Sequence, residues 1–257
     1  MKRFPPERIV CLTEETVETL YLLGEEDRIV GVSGYAVRPQ RVRQEKPRVS
    51  AFTSADILKV LALDPDLVLT FSDLQADIAA SLIREGVMVT AYNQRNIAGI
   101  LNMIRHLGAT VGQAVRAETL AASYEARLAE VASAAGPARP RVYFEEWDDP
   151  MISGIKWVSE LVGIAGGLEV FPVQAEAQAA TDRIVSSEAV IDAAPDVILA
   201  SWCGKKVRPE KIAARPGWDT IPAIRDGRIR EIKSPLILQP GPAALTDGLD
   251  AIVAALK

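Results

Sequence analysis

Two stretches decide the fold: Ile57-Leu-Lys-Val-Leu-Ala-Leu-Asp-Pro-Asp-Leu-Val-Leu-Thr-Phe71 and Ala189-Val-Ile-Asp-Ala-Ala-Pro-Asp-Val-Ile-Leu-Ala-Ser-Trp202. Each reads as a short helix, a Pro-Asp turn, an apolar strand and an aromatic residue at the strand's carboxyl end. Strands that are apolar throughout belong to parallel sheets covered by helices on both faces. The same unit occurring once in each half predicts two related α/β lobes.

Working outward, residues 8–12 and 28–33 read as strands. Residues 14–23 read as a helix capped by Thr13, with acids in its first turn and Gly24 as its stop. Residues 73–85 follow as a helix and 87–91 as a strand. Residues 96–107 and 111–134 are helical with no strand between them. The second of these is rich in Ala, Glu and Arg, whose intrinsic propensity favours a long helix, and Gly136-Pro-Ala-Arg-Pro140 stops it. The order then restarts with a strand at 141–144, a helix at 153–165 closed by Gly166-Gly167, a helix at 186–194, strands at 197–201 and 228–232, and a last helix from Pro242 to Leu256. The expected architecture is α/β: two lobes of mostly parallel sheet flanked by helices, residues 1–108 and 137–257, joined by one long rigid helix at 109–136. A stiff link predicts lobe closure of a few degrees rather than a wide hinge.

The 257 residues are 49% hydrophobic and 25% charged, ordinary globular composition with enough length for a sizeable core. The formal charge of −5, with no basic concentration, argues against nucleic acid as a partner. Cys11 and Cys203, far apart, read as free thiols. The single histidine, His106, excludes sites built from several imidazoles, and with them most zinc and manganese centres. In Met103-Ile-Arg-His-Leu-Gly108 it reads as a cation on the last turn of a helix that Gly108 stops. There is no Gly-x-Gly-x-x-Gly, P-loop or Cys-x-x-Cys pattern. No catalytic residue, metal ligand or cofactor is assigned, and a monomer is expected. No segment approaches the ~20 apolar residues that span a bilayer. Met1-Lys-Arg is a charged start with no apolar run behind it. As written a cytoplasmic location is expected; if a leader has been trimmed, a periplasmic or lipid-anchored one.

In open α/β sheets ligands bind outside the carboxyl ends of the strands. Thr13, Glu14 and Glu15 follow the first strand, Gly34 and Tyr35 the second, and Phe71, Ser72 and Asp73 the Pro-Asp strand. In the second half Glu145-Glu146-Trp147-Asp148-Asp149 and Trp202-Cys203 hold the same positions. Only 5% of the chain is aromatic, so tryptophans collecting at strand ends carry information. Trp147 and Trp202 read as ligand-facing, Trp157 and Trp218 as packing. Glu14 and Glu15 serve either the helix dipole or a ligand. Four acids around a tryptophan predict a negative lip suited to a cation, a metal-containing ligand, or amide and hydroxyl donors; a solvated acidic loop is the plain alternative. Glu145 and Glu146, adjacent on a strand, face opposite ways and make a poor acid/base pair.

Arg8-Ile-Val-Cys-Leu-Thr-Glu-Glu, Leu22-Leu-Gly and Ile29-Val-Gly-Val-Ser-Gly-Tyr35 resemble the opening of the vitamin B12-binding and ferric-siderophore-binding proteins of ABC importers, a class III substrate-binding group. Leu63-Asp-Pro-Asp-Leu-Val-Leu, Ala194-Pro-Asp-Val-Ile-Leu and Ile152-Ser-Gly, followed by a helix ending Ala165-Gly-Gly, extend the resemblance along the whole chain. It implies a non-enzymatic protein that holds a bulky small molecule in the cleft between two lobes. The cobalamin-binding branch is the most similar, so cobalamin or a related corrinoid is the implied ligand. By resemblance Tyr35, Phe52 and Phe71 meet the corrin ring, Glu146 and Trp147 lie in the matching loop, and Met151 stands where the second lobe usually offers an aromatic. Trp147 and Trp202 add stacking area; Glu14, Glu15, Asp73, Glu146 and Gln239 orient polar groups. Asp77, beside Ala76, and Glu210 mark the surfaces where the resemblance implies docking on an importer permease. The segment Ser234-Pro-Leu-Ile-Leu-Gln-Pro240 lacks the family's aromatic and arginine. Two alternatives stay open: a binder of a cationic molecule or metal–siderophore complex with a cytoplasmic, non-transport role, and a chelatase-like enzyme on a similar two-lobed architecture.

Overall fold

The computed structural model describes residues 4–257; Met1, Lys2 and Arg3, read above as a charged start, lie outside the described residues. The chain forms two compact units. The first runs up to Gln94 and includes Ala98–Ser123, and the second comprises Arg95–Ile97 and Tyr124–Lys257. The long helix is Ala114–Ala134, and the division between units falls within it, at Ser123 and Tyr124.

In the first unit β1 (Ile9–Cys11), β2 (Ile29–Ser33), β3 (Arg48–Ser50), β4 (Leu67–Phe71) and β5 (Val89–Tyr92) form one parallel sheet in the order β3-β2-β1-β4-β5. All residues of β1 and β4 are buried, as their unbroken apolar runs require. Val10, Leu12, Val49, Val60, Val68, Leu82 and Val87 make the core under one face. Strand β3 escapes the sequence reading because Arg48-Val49-Ser50 is too short and polar to announce itself at an edge.

In the second unit β6 (Arg141–Asp148), β7 (Met151–Ser153), β8 (Leu168–Glu169), β9 (Val197–Ala200) and β10 (Ile229–Glu231) form a sheet in the order β10-β9-β6-β7, with β8 also on β6. The pairings are parallel except β6–β7, an antiparallel hairpin. Here the sequence reading is corrected. Residues 145–149 are not a loop, because β6 continues to Asp148 and turns back through β7; the helix expected from 153 starts only at Lys156. The hairpin is local and its turn falls on Asp149-Pro150, a turn dipeptide that the acidic run around Trp147 hid by reading as a loop.

The repeated stretch matches down to single bonds. The Asp66 carboxylate accepts the Arg8 N–H at 3.1 Å, and the Asp196 carboxylate accepts the Arg141 N–H at 2.8 Å. The Arg8 guanidinium donates to the Leu63 carbonyl, and that of Arg141 to the Ala193 carbonyl. The residue before each proline is left-handed, with φ 43° at Asp64 and 41° at Ala194. Each Pro-Asp therefore ends a helix and pins the start of a neighbouring strand.

Two helix signals resolve differently from their sequence reading. Gly108 is not a stop: the helix runs Ile97–Thr110, and Gly112, at φ 79°, turns the chain. Gly108 instead admits a close approach, since a Cβ there would stand 2.1 Å from the Ala117 Cβ. His106 accordingly lies a turn earlier than expected. Its Nδ1 is 3.0 Å from the Tyr92 hydroxyl and the two rings meet edge to face.

Candidate functional site

All five strands of the first sheet are parallel, so their carboxyl ends share one edge. That edge carries Thr13–Glu15 after β1, Tyr35 after β2, Phe52 after β3 and Phe71–Asp73 at the end of β4. Tyr35 is 51% exposed, Asp73 is exposed and Phe52 is half-buried. Three expectations need correction. Thr13 is wholly buried and makes no cap bond; its hydroxyl is 3.1 Å from that of Thr16, which also donates to the Thr13 carbonyl. Phe71 and Ser72 are buried too, because β4 is central and its end is covered.

Glu14 and Glu15 form a buried acidic pair. Ser33 donates its hydroxyl to Glu14 at 2.9 Å, and burial pushes the Glu14 carboxyl up. Burial, reinforced by the neighbouring charge of Glu14, pushes Glu15 up to about 8, and its Oε1 has no hydrogen-bond partner. Near neutral pH Glu15 is thus held largely protonated, a neutral donor rather than a surface charge favouring the dipole. Cys11 beneath it is pushed up to about 12 by burial and is an inert thiol.

Gln75, missed in the sequence, organises this edge. Its amide nitrogen donates to the Leu12 carbonyl at 3.1 Å and the Phe52 carbonyl at 2.7 Å, while its oxygen accepts the Phe71 N–H at 3.0 Å. One buried side chain thereby ties together the segments after β1, β3 and β4. Ser72, just before it, has φ 59° in a non-glycine residue, a strained turn that costs on the order of 1–3 kcal/mol and clusters at sites. That Ser-Asp-Leu-Gln turn follows a fully apolar strand, and this was the available signal.

In the second unit Glu146, Trp147 and Met151 lie on the β6–β7 hairpin, half-buried; Trp202 and exposed Cys203 follow β9, and half-buried Gln239 follows β10 across a short helix, Ser234–Ile237. The negative lip is overturned. The guanidinium of Arg183 grips Glu146 at 2.6 and 3.0 Å, that of Arg215 grips wholly buried Glu145, and Lys205 pairs with Asp148. Three of the four acids have a cation of their own and, among the described residues, only exposed Asp149, on the hairpin turn, has no ion pair, so the strongly negative rim does not form. Trp202 is also corrected: it is 3% exposed, packed among Tyr143, Val207 and Ile212, with its indole N–H on Glu145 at 3.1 Å. Trp157 and Trp218 pack as expected, their N–H groups on the Ile237 carbonyl at 2.8 Å and the Ser187 hydroxyl at 2.7 Å.

Asp77 and Glu210 are exposed, each in the first turn of its helix, Ala76–Arg84 and Pro209–Ala213. Arg208 pairs with Glu210 and holds its carboxyl below the usual range. Among the described residues no three His, Cys, Asp or Glu side chains gather to hold a metal ion, and no helix is long and apolar enough to cross a membrane. A cavity of about 450 Å³ lies in the first unit against Glu18, Tyr21 and Arg41, and none of the predicted site residues lines it.

Comparison with known proteins fits this geometry. An uncharacterized ABC transporter substrate-binding lipoprotein of Bacillus subtilis, YvrC, is 24% identical over 96% of this chain and 79% of its own. A cobalamin-binding protein of Halobacterium salinarum is 25% identical over 76% of this chain, which spans about half (53%) of that relative. A periplasmic heme-binding protein, RhuT of Roseiflexus sp. RS-1, superposes with a TM-score of 0.81 at 26% identity, covering 98% of this chain and 99% of that one. The model of the periplasmic binding protein family matches residues 9–236. Two α/β units, one with a parallel and one with a mostly parallel sheet, and a family match over most of the sequence agree: the chain belongs to the periplasmic binding protein family.

Proposed function

We infer that this protein binds a bulky ring-shaped ligand, cobalamin or a related corrinoid, without transforming it. The observation that carries the reading is the aromatic and thioether surface at the carboxyl edges. Tyr35 and Phe52 in the first unit, and Trp147 and Met151 in the second, remain open or half-open while the other predicted aromatics are buried. Partly exposed aromatics beside few polar groups suit a large flat ligand. Exposed Asp73 provides an acceptor on the same edge, whereas Glu14 and Glu15 are buried behind it. The name of the Halobacterium relative supports a corrinoid, and that of RhuT marks heme as the competing ring. Members of this family are substrate-binding proteins rather than enzymes, and delivery to an ABC permease through Asp77 and Glu210 belongs to the same proposal.

The cationic alternative is less favoured because this chain's own cations already pair with three of the four acids meant to attract one. Titrating the protein with cyanocobalamin while following tryptophan fluorescence tests the reading. Saturable quenching at or below tens of micromolar, lost in Trp147→Ala with little change in Tm, is expected. No quenching with cobalamin, or tighter saturation with hemin, overturns the corrinoid assignment.

A further inference from the structure

The lip of the second unit gathers two indole faces and a carboxylate around one lysine. Lys205 Nζ stands 3.9 Å from the Trp147 ring centroid and 5.1 Å from that of Trp202, and it pairs with Asp148. Both indoles are fixed by their own N–H bonds. Trp147 donates to the Asp149 carbonyl at 2.9 Å, and Trp202 to Glu145, which Arg215 holds in turn. The two ring faces are therefore held in place independently of Lys205, and the Asp148 carboxylate closes on the same point through its pair with Lys205. Aromatic faces with a neighbouring carboxylate are the chemistry that recognises alkylammonium groups.

The occupant is weakly tethered. Lys205 sits on a turn with Cys203, Gly204 and Lys206, all exposed, and its N–H reaches the Trp202 carbonyl at 3.3 Å. Its side chain is 40% exposed, whereas the structural cation Arg215, over Trp218 at 4.5 Å, is 17% exposed and bound to a wholly buried carboxylate. We propose that Trp147, Trp202 and Asp148 form an alkylammonium-binding subsite that Lys205 fills as an internal, displaceable ligand. A short flexible tether acts at an effective concentration on the order of millimolar or above, so a free cation enters readily only when Lys205 is removed. The subsite shares Trp147 with the corrinoid reading but is tested without a corrinoid, so failure of one does not decide the other.

The test uses tetramethylammonium chloride as probe and sodium chloride at matched ionic strength as control, read by tryptophan fluorescence. Lys205→Ala should saturate at low-millimolar tetramethylammonium, at least about twofold tighter than the unmodified chain, and Lys205→Ala with Trp147→Leu should lose that saturation. Equal binding by the unmodified chain and Lys205→Ala, or binding that survives loss of Trp147, overturns the proposal. A second measurement needs no destabilising variant. After ¹³C-dimethylation of the lysines, which keeps their charge, one methyl resonance should be shifted upfield by ring currents and be absent in Lys205→Ala. No shifted resonance, or one that persists in Lys205→Ala, likewise overturns it.

Discussion

Replacing Gln75 by leucine should destabilise the first unit by about 3 kcal/mol. The amide of this wholly buried residue makes three hydrogen bonds to backbone, to Leu12, Phe52 and Phe71, and each is worth about 1 kcal/mol net. Leucine nearly preserves the volume, so the cavity contribution is small and the lost bonds dominate. On a unit of this size the loss lowers Tm by roughly 10 °C. Glutamate supplies the contrasting variant. It keeps an acceptor for the Phe71 N–H but sets a carboxylate against two carbonyls, so Gln75→Glu should be worse than Gln75→Leu at neutral pH and recover as the pH falls. Urea unfolding followed by circular dichroism measures both. If Gln75→Leu lies within about 0.5 kcal/mol of the unmodified chain, or glutamate is the better tolerated, the Gln75 side chain does not clamp these three segments.

Stability should fall as pH rises from 5 to 8. Burial pushes Glu15 and Glu169 up to about 8 from 4.5, so the folded chain binds more protons than the unfolded one throughout that window. Each contributes a slope of up to about 1.4 kcal/mol per pH unit. Urea midpoints should flatten in Glu15→Gln with Glu169→Gln; a midpoint that rises with pH in the unmodified chain contradicts the assignment. Gly108→Ala should destabilise by about 1–3 kcal/mol despite its better helix propensity, because the new Cβ meets Ala117 at 2.1 Å. A Tm that rises with this substitution would show that the helices accommodate a methyl group there.

Local chemistry made part of this molecule legible from residue order. The all-apolar runs of β1, β4 and β9 commit to buried strands, and the Pro-Asp turns end helices and seat the next strand. Parallel strands then put Tyr35, Phe52 and Asp73 on one edge, so the place of the site follows from topology and strand ends. Its electrostatics do not. The cations that neutralise Glu146, Asp148 and Glu145 come from 37, 57 and 70 residues away, and no local pattern announces such pairings. The acids alone read as a negative lip, and the folded chain closes three of the four into ion pairs. Burial of Trp202 and the reach of Gln75 to three separate segments belong to the same class. Sequence determines which stretches bury themselves, because hydrophobicity is carried by each residue. Only the tertiary structure decides which polar groups remain available, because availability depends on which partners arrive.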